Sequence, residues 1–345
     1  MTEPQLGLGD RGNLVAHQLH IQNDRTSMFF YGEAPWHGLG IELDSPATAA
    51  QAIEAANLNW EVVKIPLFLE DRKHRHPVPK KFGIVPKHRW GKEDCSVFGI
   101  VGSSYTPLQN REAFAFFDPI VGEGAAIYHT AGALGDGERV WILAKLPKSI
   151  TVAKGDIADQ YLLLSNSHDG TGSVQIKFTP IRVVCNNTLT MALRSGPTIR
   201  VSHTRDLKER LEKARKTLAL INTHYETIEA VFKAMVKIQI DEARLKLYLH
   251  LVFPDPADTE DKKALVRVER DRTVAAECFR SGLGNTVKPV AGTLWAAYNG
   301  ITEFVDHRTG RSGRDHLEQI WFGDGYYLKA RAFEFAKKQM LAWKY

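Results

Sequence analysis

The stretch SNSHDGTGSVQIKFTPIRVVCNN, residues 165–187, is the place where a strand pattern gives way to a different period. In VQIKF, residues 174–178, apolar and polar residues alternate, which predicts a strand with one apolar face and one solvated face. The preceding QYLLLS, residues 160–165, predicts a partner strand joined to it by the polar loop. From Pro180 the apolar residues recur at helical spacing and Thr179 is a suitable cap, so we expect the hairpin to lead into a buried helix.

The polar loop between these strands sets Ser167, His168 and Asp169 side by side. A catalytic triad needs an imidazole that reaches the nucleophile through one nitrogen and the carboxylate through the other. Consecutive residues in an extended segment point to opposite sides, so His168 is badly placed for both contacts. Asn, Asp, Gly and Ser are also the residues that turns between strands prefer. The run therefore favours a turn over a nucleophile with its helpers.

On the N-terminal side the sequence predicts a helix, three strands and a second helix. The segment DSPATAAQAIEAANL begins with Ser45 as a candidate cap. Two runs rich in β-branched and apolar residues, 60–69 and 81–85, predict a hairpin around a basic loop. The run 96–105 supplies a third strand, and Asn110 is the expected cap of the next helix.

Further along the chain, the runs 126–134 and 139–146 predict another strand pair. Between Leu207 and Met235 the apolar residues follow alternating steps of four and three, a heptad pattern over about four repeats. This pattern predicts a long helix that packs lengthwise, either on later helices of the same chain or on a second subunit. Helical patterns then continue towards the C-terminus.

Together these patterns predict an α+β fold. An antiparallel sheet domain flanked by helices precedes an all-helical C-terminal region with a long heptad-patterned helix. We expect three parts in the chain: a flexible N-terminal arm at 1–27, an α+β core domain at 28–204 and a helical domain at 205–345.

Composition narrows the class of protein. The chain has 345 residues, of which 43% are hydrophobic and 25% charged, with a net charge of +5. It has neither a membrane-length apolar stretch nor a signal-peptide pattern, so we expect a cytoplasmic protein without a membrane partner. Cys95, Cys185 and Cys278 are odd in number and widely scattered, which argues against disulfides and a thiolate zinc site. No P-loop or H-E-x-x-H motif occurs, and we predict neither cofactor nor metal.

Six motifs occur in an order that is familiar from a known family. They are PWHGLG, GSSYTPLQNREAF, SNSHDGTGS, RVVCNNTL, WAAYNGITEFVDHRTGR and WFGDGYYLKARAFEFA. As a set they resemble the phage/plasmid-like protein family, the domain-of-unknown-function 932 family, from about Met28 almost to the C-terminus. The resemblance implies a bacterial, phage or plasmid context in which DNA is often handled, and it implies no catalytic residue.

The densest positive charge lies in DRKHRHPVPKK, residues 71–81, at the tip of the predicted hairpin. Such a run is often only a solvated loop, but it is also suited to phosphates, because each neutralised phosphate releases a counterion. A candidate interface consists of these cations, two downstream cations and one aromatic: Arg72, Lys73, Arg75, Lys80, Lys81, Lys177, Arg182 and Trp36. Trp36, or alternatively Trp90, would stack on a base.

Three functions remain open at this point. The first is a non-catalytic nucleic-acid-binding protein of a phage or plasmid, with single-stranded DNA favoured, that acts in recombination or replication. The second is a hydrolytic or phosphoester-cleaving enzyme with a pocket at the loop 165–173. Its polar site would combine Ser167, His168, Asp169, Asn186 and Asn187. The third is a protein-binding inhibitor or assembly factor that forms a homo-oligomer through the helix at 205–238.

Overall fold

The structure is a computed structural model, and it describes residues 19–22, 25–32, 40–122, 126–182, 187–188, 198–218, 221–258, 260–309 and 316–343. Its strands are β1 Ile21–Gln22, β2 Arg25–Thr26, β3 Met28–Tyr31, β4 Ile41–Leu43, β5 Val62–Glu70, β6 Arg75–Pro86, β7 Gly99–Gly102, β8 Ile127–Leu134, β9 Arg139–Ala153, β10 Asp156–Ser167, β11 Val174–Arg182, β12 Asn187–Thr188 and β13 Thr198–Val201. Its helices are α1 Ala49–Ala55, α2 Asn110–Gly122, α3 Leu207–Leu218, α4 Ile221–Val236, α5 Glu242–Val252, α6 Lys262–Ser281, α7 Leu294–Glu303, α8 His316–Trp321 and α9 Asp324–Ala342. The predicted α+β fold with a helical C-terminal region is confirmed.

The larger sheet has eight strands among the described residues. Its order is β12-β11-β10-β9-β8-β3-β4, with β13 also paired to β11. β3 and β4 run parallel, whereas β8 is antiparallel to both β3 and β9. In β9 every residue from Val140 to Ala144 is buried, which explains its unbroken apolar run, because neither face meets solvent. The predicted pairs β8–β9 and β10–β11 are confirmed.

A second, three-stranded antiparallel sheet consists of β5, β6 and β7, as predicted. β5 and β6 form a long hairpin, residues 62–86, which we call the finger. Its base contributes Val62 and Ile84 to a small apolar core that Val101 of β7 completes. Towards the turn almost every residue is exposed. The finger is therefore anchored at one end only.

Two helix caps differ from the prediction. α1 is capped by Thr48 instead of Ser45: the Thr48 side chain accepts from the Gln51 amide, and the Gln51 side chain accepts from the Thr48 amide. This reciprocal capping box satisfies two donors at once, which Ser45 cannot do from its position. Asn110 is the first residue of α2, and its side chain bonds to other parts of the chain.

The helix predicted from Pro180 is wrong. β11 continues to Arg182 and pairs with β12, where Ile181 lies opposite Thr188. A short apolar run fits either period, and strand pairing decides between them. The expected solvated face of β11 is also wrong at Lys177, which is buried, as is Thr179 on the same face. Side chains project from the faces of a sheet, so this face of β11 is covered at both positions.

The C-terminal helices build their own apolar core around α7, all of whose residues are buried. The ring centres of Phe232 in α4 and Trp295 in α7 lie 4.5 Å apart. Trp295 Nε1 donates to Asp156 Oδ2 at 2.7 Å. The Tyr248 hydroxyl in α5 donates to the Ala332 carbonyl in α9 at 2.9 Å. The polar atoms of these large rings are thus satisfied within the core.

The heptad pattern is helical over α3 and α4, and residues 219 and 220 between them lie outside the described part. The described side chains of the seam are all buried: Leu207, Leu211, Ala214, Tyr225, Ile228, Phe232 and Met235. The chain itself therefore covers this part of the seam, which is not available to a second subunit.

The described residues divide into two compact units that interleave along the chain. The first contains the described parts of Met1–Pro147, Leu162–Lys177 and Thr198–Ala219, and the second those of Lys148–Tyr161, Phe178–Pro197 and Leu220–Tyr345. The domain limits expected from the sequence stay a prediction. Among the described helices, none combines the length and the apolar character needed to cross a bilayer.

Candidate functional site

The finger ends in a tight turn at residues 71–74. The Asp71 amide donates to the His74 carbonyl at 3.0 Å. The Asp71 carboxylate in turn accepts from the amides of Lys73 and His74, each at 2.8 Å. These backbone hydrogen bonds lower the pKa of Asp71 below its usual value. An aspartate in this position closes the turn because its side chain satisfies amides that no strand partner reaches.

The predicted cations of the finger are all accessible. Every one of the five is exposed: Arg72, Lys73, Arg75, Lys80 and Lys81. Within the described part of the chain, none of them forms an ion pair with a carboxylate. Asp71, the one acidic residue in 71–81, is paired with His74 and His76. No carboxylate among the described residues therefore neutralises these five cations.

An irregularity in the pairing of β5 and β6 presents two of these cations. Pro66 lies opposite Phe82 but Phe68 lies opposite Pro77, so residues 78–81 bulge out against a single partner. Lys80 adopts a left-handed conformation with φ 58°, which is uncommon for a residue with a side chain. Bulges bend and twist a strand and redirect its side chains, and here Lys80 is exposed.

The sequence analysis missed an aromatic residue on the finger. Phe68 of β5 is 42% exposed, and the Arg75 guanidinium lies over its ring at 4.1 Å from the centre. The neighbouring Leu69 is 69% exposed. The signal was present in PLFLE, an apolar run next to a charged turn, where little core exists to cover it. The finger thus offers a flat aromatic face beside its cations.

The finger base is held by the polar loop that the sequence singled out. The Asp169 carbonyl comes so close to Gly99 of β7 that a side chain there would collide with it. The Tyr105 hydroxyl donates to the Ser167 carbonyl at 3.1 Å. The rings of Trp60, Phe98 and His168 contact one another: the His168 centre lies 5.5 Å from that of Trp60 and 6.3 Å from that of Phe98, which are themselves 6.1 Å apart. The loop therefore supports the three-stranded sheet.

His168 itself is fully buried. Its amide donates to the Glu138 carbonyl at 2.7 Å, and Nε2 lies 2.9 Å from Asn110 Oδ1. The nitrogen of the same side-chain amide, Asn110 Nδ2, donates to the Leu58 carbonyl at 3.1 Å. Burial lowers the pKa of His168 to about 3, so the imidazole is neutral at neutral pH and Nε2 donates to Asn110.

These contacts do not form a catalytic triad. Ser167 Oγ donates to Asp169, whose carboxylate also accepts from the amide and hydroxyl of Thr171. Neither nitrogen of His168 bonds to Ser167 or Asp169 within the described structure. A histidine with a pKa near 3 is also a poor base at neutral pH. The turn interpretation of the run agrees with these hydrogen bonds. Ser167 and His168 are buried, however, which their polar character did not suggest.

A second histidine lies near the same loop. The His203 ring stacks on Tyr105 with centres 4.8 Å apart, and Nδ1 lies 3.1 Å from the Thr106 carbonyl. Burial lowers the pKa of His203 as well. The rings at the base of the finger therefore include two buried histidines, His168 and His203, beside the partly buried rings of Trp60, Phe98 and Tyr105.

The remaining predicted residues are separate from this region or undescribed. Lys177 is buried, and we leave it out of the interface. Arg182 and Asn187 pair through their backbones in β11 and β12, whereas Trp36 and Asn186 lie outside the described residues. Trp90, the alternative stacking residue, is 54% exposed and follows a 3-10 turn at the base of the finger.

A cleft of about 690 Å³ opens beside the finger base, between α1 and the start of α2. Its charged lining is partnered locally: Lys87 pairs with Glu61 at 2.9 Å, and Arg111 donates to Asn59 at 3.1 Å. Lys87, Glu61 and Arg111 are therefore engaged with one another or with Asn59, and we assign them no catalytic role.

A family model with the description "Domain of unknown function (DUF932)" matches residues 97–322, about two thirds of the chain. The chain belongs to the DUF932 family. The family that the motifs suggested is thereby confirmed, and its phage or plasmid context stays a prediction. The DUF932 match includes β7 and the His168 loop, and it begins after the finger. No curated protein and no solved structure matches the chain significantly.

Proposed function

We propose that this protein binds single-stranded nucleic acid, with DNA favoured, through the finger and without catalysing a reaction on it. The proposal includes a cytoplasmic location and a role in recombination or replication on a phage or plasmid. One observation carries it: a hairpin that is anchored at one end presents five exposed cations that have no carboxylate partner among the described residues, and the guanidinium of one of them, Arg75, lies over the exposed ring of Phe68.

The physical basis is counterion release together with stacking. Cations that bind phosphates displace condensed counterions, so affinity falls steeply as salt is added. A base can stack on Phe68, because every base has a flat face and such stacking tolerates any sequence. Single strands suit this arrangement, since their bases are free to stack while the backbone follows the cations.

The two other hypotheses gain no comparable observation. For a hydrolytic pocket, Asp169 accepts from Ser167 and Thr171, and His168 Nε2 bonds to Asn110 Oδ1 instead of to either of its neighbours. For an assembly factor that acts through the heptad helix, the described seam is already buried in the chain. In the finger, by contrast, the five cations and the ring of Phe68 are exposed to solvent.

The test measures binding of a fluorescent single-stranded oligonucleotide over a series of salt concentrations. The double variant Arg72→Glu/Arg75→Glu should bind more weakly, and removal of two phosphate contacts should reduce the slope of log K against log salt by about 1.4. A control, Lys148→Glu/Lys154→Glu, makes the same change in net charge at two exposed lysines that are not part of the finger. It should retain the wild-type slope.

The outcome that contradicts the proposal is equally specific. If wild type does not bind, or if both double variants lose affinity and slope to the same extent, the finger is not the interface. Duplex DNA of the same sequence serves as the competitor that tests the preference for single strands.

A further inference from the structure

The finger tip brings three potential metal ligands together. Nδ1 of His74 lies 3.6 Å from Oδ1 of Asp71, and Nε2 of His76 lies 3.6 Å from Oδ2 of the same carboxylate. The ligand atoms of all three residues lie within 4.8 Å of one another. We propose that Asp71, His74 and His76 form a binding site for one divalent transition-metal ion of the Zn²⁺ type.

The separations suit a metal better than hydrogen bonds. A distance of 3.6 Å is too long for a good N–H···O bond. Tetrahedral zinc with bonds of about 2.0–2.1 Å places its ligand atoms roughly 3.4 Å apart. The two distances of 3.6 Å involve different oxygens of the Asp71 carboxylate, so either oxygen has one neighbouring imidazole at close to the required length. The ligand atoms all lie within 4.8 Å of one another, and small rotations of the exposed side chains would shorten the remaining separations. Two imidazoles and one carboxylate favour Zn²⁺, Co²⁺ or Ni²⁺ over Mg²⁺ or Ca²⁺.

The turn already orients the carboxylate. Asp71 Oδ1 accepts both backbone amides, which leaves Oδ2 beside His76 for the metal. Outer hydrogen bonds of this kind fix the orientation of a ligand and raise metal affinity.

The motif escaped the sequence analysis, which predicted no metal site. Asp71-x-x-His74-x-His76 lies within a basic run and does not match the H-E-x-x-H spacing of a helical zinc site. The hairpin supplies the missing information: His76 lies opposite Leu69 in the ladder, and Asp71 and His74 lie in the turn. These three ligands would leave an open coordination position, as in zinc sites with three protein ligands.

A bound cation would also deepen the proposed function. It would neutralise the one carboxylate in 71–81 and offer its open position to a phosphate oxygen. This consequence rests on the proposed function, whereas the metal site itself does not.

The test uses the full chain without a histidine tag. Isothermal titration with Zn²⁺ and the visible absorption of bound Co²⁺ should both report one tight equivalent in wild type. Asp71→Asn keeps the Oδ1 acceptor of the turn but loses the charge, and His74→Gln/His76→Gln loses both imidazoles. Each variant should bind at least about 10-fold more weakly, while Lys73→Gln, in the same turn, should match wild type. Circular dichroism should show that all variants are folded.

The outcomes separate the two proposals. Absence of a tight equivalent in wild type, or equal binding by the ligand variants, overturns the metal site even if oligonucleotide binding persists. One tight equivalent that the ligand variants lose supports the site even if no oligonucleotide binds. If wild type binds both Zn²⁺ and the oligonucleotide, Zn²⁺ should increase the oligonucleotide affinity of wild type but not that of Asp71→Asn. The absence of that difference would overturn the coupling.

Discussion

Nε2 of His168 lies 2.9 Å from Oδ1 of Asn110, a residue 58 positions earlier in the chain. The same histidine bonds through its amide to Glu138, and its ring contacts those of Trp60 and Phe98. One side chain thus joins the start of α2, the turn before β9 and the base of the finger. Its burial and its partners favour a structural role over a catalytic one.

Stability should fall in mild acid because of this histidine. An unfolded histidine takes up a proton near pH 6.5, whereas burial holds the folded pKa of His168 at about 3 and that of His20 at about 4. Between these values the unfolded state binds more protons, so the free energy of unfolding decreases as pH drops below about 6.5. Each such histidine contributes up to about 1.4 kcal/mol per pH unit.

Urea denaturation at several pH values between 7.5 and 4.5 measures the effect. His168→Gln keeps a donor for Asn110 and should show a shallower pH dependence than wild type. His74→Gln, at an exposed histidine of the finger tip, should follow the wild-type curve. Parallel curves for wild type and His168→Gln would show that His168 is not a source of the acid sensitivity.

Phe68→Ala should weaken single-strand binding without a change in its salt dependence. Loss of one base–aromatic stack costs about 1–3 kcal/mol, which corresponds to roughly 5- to 150-fold in Kd. Leu69→Ala removes an exposed neighbour and should have little effect. A slope change in Phe68→Ala would indicate that the aromatic ring acts through the cations and not by stacking.

Lys80→Gly should raise the free energy of unfolding by a few tenths to about 1 kcal/mol. Lys80 has φ 58°, a conformation that costs a residue with a side chain about 1–2 kcal/mol and glycine very little. Lys81→Gly provides the control: Lys81 is paired in the β6–β7 ladder, where glycine should destabilise. Thermal unfolding of both variants measures the two changes in stability. Changes of the same sign in the two variants would contradict the prediction.

Gly99→Ala should destabilise the junction between the finger sheet and the His168 loop by about 1–3 kcal/mol, because a methyl group would collide with the Asp169 carbonyl. Gly102, in the same strand, has open space where its side chain would be. Gly102→Ala should therefore be tolerated. Chemical denaturation that finds the two substitutions equally costly would refute the close approach.

Single substitutions in the buried pair of Asp306 and Lys329 should lower the free energy of unfolding. Lys329 Nζ lies 2.7 Å from Asp306 Oδ1, and both side chains are almost inaccessible. Replacement of one partner leaves an unpaired buried charge and should cost about 3–5 kcal/mol, whereas Asp306→Leu/Lys329→Met should recover much of that loss. A double-mutant cycle by urea denaturation measures the coupling, and additive losses would contradict it.

The sequence by itself determined the local elements of this protein. Runs rich in β-branched and apolar residues predicted the hairpin of the finger, and strand patterns on either side of a turn predicted the pairs β8–β9 and β10–β11. The heptad steps predicted the helical stretch from Leu207. These signals depend on neighbours within one strand or one helical turn, so no distant partner is needed to interpret them. The positive charge of the finger was visible for the same reason.

The tertiary structure alone decided what each side chain meets. Pairing with β12 makes Ile181 and Arg182 part of a strand, and Lys177 is buried on a face of β11 that the alternation predicted to be solvated. Asn110 reaches His168 across 58 positions, and the finger turn gathers Asp71, His74 and His76. Such contacts are set by chain segments that approach one another in space, and local spacing in a sequence carries no information about that approach.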